Sequence, residues 1–138
     1  MDSGLAKLND ILFILKEKHK NMENLMVFTR EMEKVVAAND LESLGAVLSM
    51  RQESMDKIDA LNADVAKTLA GIGEPYNDKV KKILKSREGP IQFDNPLEKH
   101  IFDTNRMTLS LLKKIIALDG EINNRIKGDA KVFADKTV

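Results

Sequence analysis

Two histidines, His19 and His100, are the side chains best suited to metal or proton chemistry, and they fall on different predicted helices. Glu23 lies one helical turn beyond His19, a spacing that brings imidazole and carboxylate to one face. A diiron-type centre would need further inward carboxylates with Glu-x-x-His spacing, and the chain has none. His19 also continues an apolar stripe, so it reads as a packed or boundary histidine, and no metal ligand is assigned. Asp56 and Asp59 lie about one turn apart on a helix, where a solvated or capping role is commoner than acid–base catalysis. No serine or threonine stands in a nucleophile elbow, and there is no P-loop or Gly-rich dinucleotide turn. With no catalytic residue and no cofactor to assign, the chain reads as a binding protein and not an enzyme.

Two further groups could bind something. Lys79, Lys81, Lys82, Lys85 and Arg87 form the one basic cluster, yet only Tyr76 is nearby and acidic groups flank both ends. A nucleic-acid footprint wants more charge and interleaved aromatics, so a solvated helix face is the better reading. Met22, Met26, Met32, Met50, Met55 and Met107 all fall in helical segments. Flexible thioethers suit adaptable binding grooves, but they also fill ordinary cores, which is the reading for Met22, Met26 and Met55.

These residues must be carried by helices. Leu5, Leu8, Leu12, Leu15, His19, Met22 and Met26 step by three and four, and Ile11, Ile14, Leu25, Phe28, Met32 and Val35 run beside them. The spacing predicts a helix over about 4–38, roughly 50 Å long, with the wide apolar face of a bundle. Ala37-Ala38-Asn39-Asp40 breaks it, and Asn39 with Glu42 reads as a capping box. Leu41, Leu44, Leu48, Met55, Ile58, Val65 and Leu69 then predict a second helix over about 40–70, with Arg51 and Asn62 weakening the stripe. So short a turn makes the pair an antiparallel hairpin.

Gly71, Gly73 and Pro75 end the second helix, and Val80, Ile83 and Leu84 predict a short one over about 76–86. Gly89-Pro90 breaks it, with Ile91 and Phe93 as a hydrophobic latch. Asn95-Pro96-Leu97-Glu98 is a strong helix start: Asn as cap, Pro in the first turn, Glu closing the box. The third long helix is placed at about 96–127, with Thr104, Asn105 and Thr108 near its inward line and a frayed tail over 128–138. The expected fold is all-α and a single domain over 1–138, either a bundle or an extended coiled-coil-like arrangement.

Composition sets bounds on partners. Lys plus Arg (22) equals Asp plus Glu (22), so no global field draws nucleic acid or anionic lipid. Cys is absent, which removes disulfides, thiolate nucleophiles and Cys-type zinc sites. No apolar run approaches the ~20 residues that span a bilayer, and the N-terminus lacks the pattern of a secretory signal, so a cytoplasmic protein without membrane insertion is expected. Leu111, Leu112, Ile115, Ile116, Leu118, Ile122 and Ile126 crowd the end of the third long helix, more than one narrow stripe can hide. The surplus leaves two readings, full burial in the bundle or a second contact with an amphipathic partner helix.

The run from Phe28-Thr29-Arg30-Glu31-Met32-Glu33-Lys34-Val35-Val36 through Asn39-Asp40-Leu41-Glu42-Ser43-Leu44 to Arg51-Gln52-Glu53-Ser54-Met55-Asp56-Lys57-Ile58-Asp59-Ala60-Leu61 resembles the first hairpin of the FlgN-like flagellar export chaperones. Ile116-Ala117-Leu118-Asp119, followed by Glu121, Asn123 and Asn124, is similar to that family's third helix. The resemblance covers most of residues 5–126, and the FliT-type chaperones of the filament cap share the same build. It implies a cytoplasmic chaperone that holds hook-associated proteins by their C-terminal helical segments and delivers them to the type III export machinery. It also implies that binding lies mainly in the C-terminal helix, here about Thr108 to Ile126. Burying even several hundred Å² at about 25 cal/mol per Å² is useful before association costs are subtracted. The alternative is a structural or adaptor coiled coil that self-associates as a homo-oligomer.

Overall fold

In a computed structural model, residues 3–85 and 92–137 are described, with side chains as far as 128. Four helices and no strand make up the described residues: α1 (Ser3–Ala37), α2 (Leu41–Ala70), α3 (Tyr76–Lys85) and α4 (Pro96–Thr137). The all-α expectation holds. α1 and α2 form the antiparallel hairpin, and α4 packs along α1 in parallel, its Ile101 beside Leu8–Leu15 and its Ile122 beside Met32. α1 is thus the central helix, contacted by both other long ones.

The turn at 38–40 is closed by hydrogen bonds from Asp40 N–H to Val35 O (2.9 Å) and Asn39 N–H to Val36 O (3.1 Å). That nested pair is a Schellman arrangement, which requires a left-handed residue between its donors. Asn39 takes it at φ 57, and asparagine tolerates that region better than most side chains. The expected capping box at Asn39 is therefore corrected by one residue. Asp40 is the N-cap of α2, accepting from Ser43 N–H at 3.1 Å; the Ser43 hydroxyl, together with this backbone bond, holds its carboxyl below the ordinary carboxylate range. Asn39 is left to make the turn.

The start of α4 matches the sequence signal, with Asn95 as cap, except that Glu98 closes on the backbone of Asp94, one residue before the cap. Asn95 Oδ1 accepts from Glu98 N–H at 3.0 Å, and the buried Glu98 carboxylate accepts from Asp94 N–H at 3.0 Å. Phe93 packs on Phe102 with ring centroids 5.5 Å apart, fulfilling half of the latch. Ile91, with Ser86, Arg87 and Gly89-Pro90, lies outside the described residues. At its other end α4 runs on to Thr137, past the expected boundary near 127. Gly128 costs only about 1 kcal/mol, and Ala130, Lys131, Ala134 and Lys136 are good helix formers with no proline among them.

The core is not continuous. A base cluster joins α1, α2, α3 and α4 through Leu8, Ile11, Leu15, Leu69, Ile83 and Ile101 among others. A middle cluster holds Met22, Leu25, Met26, Ile58 and Ile115, and a small upper one Met32, Val47 and Ile122. Polar belts lie between them. In the lower belt His19 Nδ1 meets Thr108 Oγ1 at 2.9 Å, and Thr108 in turn donates to Thr104 O at 3.0 Å. In the upper belt Arg51 of α2 donates to Thr29 Oγ1 (3.2 Å) on α1 and to Asp119 on α4. Arg51 so clasps all three long helices.

This clasp corrects the stripe expected on α2. Turning Arg51 inward carries Val47 and Ser54 into the interior and swings Leu41 and Leu48 outward, leaving Leu41 74% exposed. Among the described residues, no helix is long and apolar enough to cross a membrane.

Candidate functional site

The chemistry-bearing residues come out dispersed. His19 is half-buried in the lower belt, with Glu23 Oε1 3.6 Å from its Nε2. His100 is exposed near the start of α4. Because the Thr108 hydroxyl donates to Thr104 O, its oxygen accepts from His19, which places the imidazole proton on Nδ1. His19 therefore positions α1 against α4. No group of three His, Asp or Glu side chains among the described residues could hold a metal ion. Asp56 is exposed and accepts from Gln52 at 2.9 Å, while Asp59 stands apart on the same solvated face. Of the basic cluster, Lys79 is tied down by the Gln92 carbonyl, Asp94 (3.8 Å) and Glu98 (3.9 Å); Lys81, Lys82 and Lys85 face solvent. Arg87 is outside the described residues.

The seven apolar residues singled out on α4 are dispersed. Ile115 and Ile122 are buried core, and Leu112 and Leu118 are half-buried beside it. Leu111 packs on the middle cluster and also lines a groove between α1 and α4. Ile126 lines a notch of about 150 Å³ at the hairpin turn with Val35, Val36, Leu41 and Leu44. Ile116 projects from the bundle at 60% exposure. They do not form one surface.

A groove of about 900 Å³ runs between α1 and α4. Residues three and four apart on one helix share a face, so α1 supplies His19, Glu23, Met26, Val27 and Arg30. α4 supplies Asp103, Arg106, Met107, Ser110, Leu111 and Lys114. Met26 and Leu111 give it an apolar floor, and Val27 and Met107, each 54% exposed, give it apolar rims. A channel of this size falls within the range that binds sizeable ligands. Sequence reading missed it because its two walls lie some eighty residues apart in the chain. Met107, the one methionine of α4, was the available signal.

No family model, curated protein or solved structure matches the chain.

Proposed function

We propose that this chain is an export chaperone of the FlgN-like kind, which holds hook-associated flagellar proteins by an amphipathic helical segment and hands them to the type III export machinery. The observation that carries the reading is the α1–α4 groove, with Val27 and Met107 exposed above an apolar floor. A helix laid there would bury its apolar face and add a fourth member to three long helices. The hairpin and α4 motifs point to the kind of partner, a segment that is disordered until bound.

The test is co-expression with hook-associated proteins followed by copurification. Removing residues from Thr108 onward would be a poor control, because Thr108, Ile115 and Ile122 are buried and the bundle would collapse. The exposed pair Val27→Asp and Met107→Asp keeps the core. We expect a stable complex with the unaltered chain and at least tenfold weaker binding by the double variant, with unchanged helix content. Absence of any complex sinks the reading.

One observation favours self-association as a second reading. Leu41 and Ile126 are both exposed around the notch at the hairpin turn, an apolar spot that a second copy would cover. Sedimentation of the free chain as a dimer that Leu41→Glu dissolves would support it, and a monomer would remove it.

A further inference from the structure

Resting on the groove reading above, we infer that the partner is an acidic amphipathic helix, whose carboxylates flank its apolar stripe and meet Arg30, Arg106 and Lys114. These three cations line the groove and are exposed. None of them has a carboxylate within ion-pair distance among the described residues. Arg106 instead lies over the Phe102 ring, 5.9 Å from its centroid. Of the two acids lining the groove, Glu23 lies beside His19, its Oε1 3.6 Å from the ring Nε2. Asp103 lies at the lower end, one turn from Arg106 on the same helix but beyond ion-pair distance of it. Arg30 and Lys114 line the groove on facing helices, and neither is within ion-pair distance of a carboxylate among the described residues. Such cations beside an apolar floor are complementary to a helix carrying Glu or Asp beside its Leu or Met anchors. The protein as a whole carries formal net charge +0, so this preference is local to the groove and not a property of the surface at large.

The experiment uses the full chain labelled with 13C at its methionine methyls and two helical peptides. Both peptides carry the same leucine stripe; one has Glu at its flanking positions and its twin has Lys. Met26 and Met107 report the groove, and Met22, Met32, Met50 and Met55 serve as references. The Glu peptide should move the Met26 and Met107 signals and bind about tenfold more tightly than its twin at low salt, as expected of three exposed ion pairs. The gap should shrink at high salt. Arg30→Glu with Lys114→Glu should reverse the preference, and both positions are exposed, so the fold is spared. Equal affinity for the twins overturns the inference, as does silence at Met26 and Met107. Shifts at these methyls on concentrating the chain without peptide also overturn it, because a second copy then fills the groove. The chaperone reading fails separately: hook-associated proteins that bind while the groove methyls stay still leave that reading intact and remove this one. A Glu peptide that binds while no hook-associated protein copurifies does the opposite.

Discussion

The two ends of this bundle are built differently. At the base four helices converge, and Leu8, Ile11, Val80, Ile83 and Ile101 are wholly out of solvent. Polar groups turned inward there are partnered: Glu98 caps α4, Asn77 binds Leu69 O at 2.7 Å, and Asn105 binds Leu84 O at 3.2 Å. From about the His19–Thr108 belt upward only three helices remain, the core shrinks to methionine-rich clusters, and the groove and the notch open. Three long helices and a short cross-piece close the core at one end, whereas the same three without a fourth leave channels at the other. The base acts as the scaffold, and the upper part is where a partner finds uncovered apolar surface.

The sharpest way to break that contrast is to cut equal holes in both ends. Ile101→Ala removes a wholly buried side chain from a site walled by four helices, where little can relax. It should cost about 4 kcal/mol in urea unfolding. Ile122→Ala, in the small upper cluster, should cost about 2 kcal/mol, since water and neighbouring side chains fill the gap more readily. Equal losses would mean that the upper part is packed as tightly as the base.

A smaller effect is expected from the upper clasp. Arg51→Ala leaves the Asp119 carboxylate unpaired, and its Oδ1 is already buried without a hydrogen-bond partner. The pair is partly solvated, so the loss should be about 2 kcal/mol, below that of a fully buried pair. Arg51→Met combined with Asp119→Leu should restore stability to within about 1 kcal/mol while loosening helix register, because an apolar pair packs without fixing one alignment. Unfolding midpoints and methyl line widths of the double variant measure the two effects. If the double variant loses as much stability as Arg51→Ala, the clasp is not an ion pair in origin.

Legibility in the sequence followed the range of the interactions. The Asn95–Glu98 cap of α4 was readable because both partners lie within one turn, and the hairpin because its stripes are continuous. Asn39 and Asp40 were confused, since either can cap and only the Schellman bonds show which one turns left-handed. The α2 stripe was misplaced by the same logic: apolar spacing alone favours Leu41 and Leu48 inside. What it omits is that Arg51 finds Thr29 and Asp119, partners 22 and 68 residues away. Opposite charges at inward positions on two helices were the missed signal. The crowded apolar end of α4 pointed to surplus surface, yet only Ile116 and Ile126 are largely uncovered, and the groove draws on Val27 and Met107 instead.

The smallest effects come from two glycines on opposite sides of the comparison, and their signs should differ. Gly4 is buried at the base, where an added Cβ would lie 2.2 Å and 2.4 Å from the Tyr76 ring. The ring is held between α1 and the base cluster, so Gly4→Ala must push it aside and should destabilise by about 1 kcal/mol or slightly more. Gly45 sits on the exposed side of α2 near the turn, with nothing within 4 Å of an added Cβ. Gly45→Ala therefore gains helix propensity at no steric cost and should stabilise by ~0.5–1 kcal/mol. Thermal unfolding of the two variants at one pH decides the matter. Matching signs would show that propensity or packing rules both ends alike, whereas opposite signs fit a base filled to contact and an upper part with room to spare.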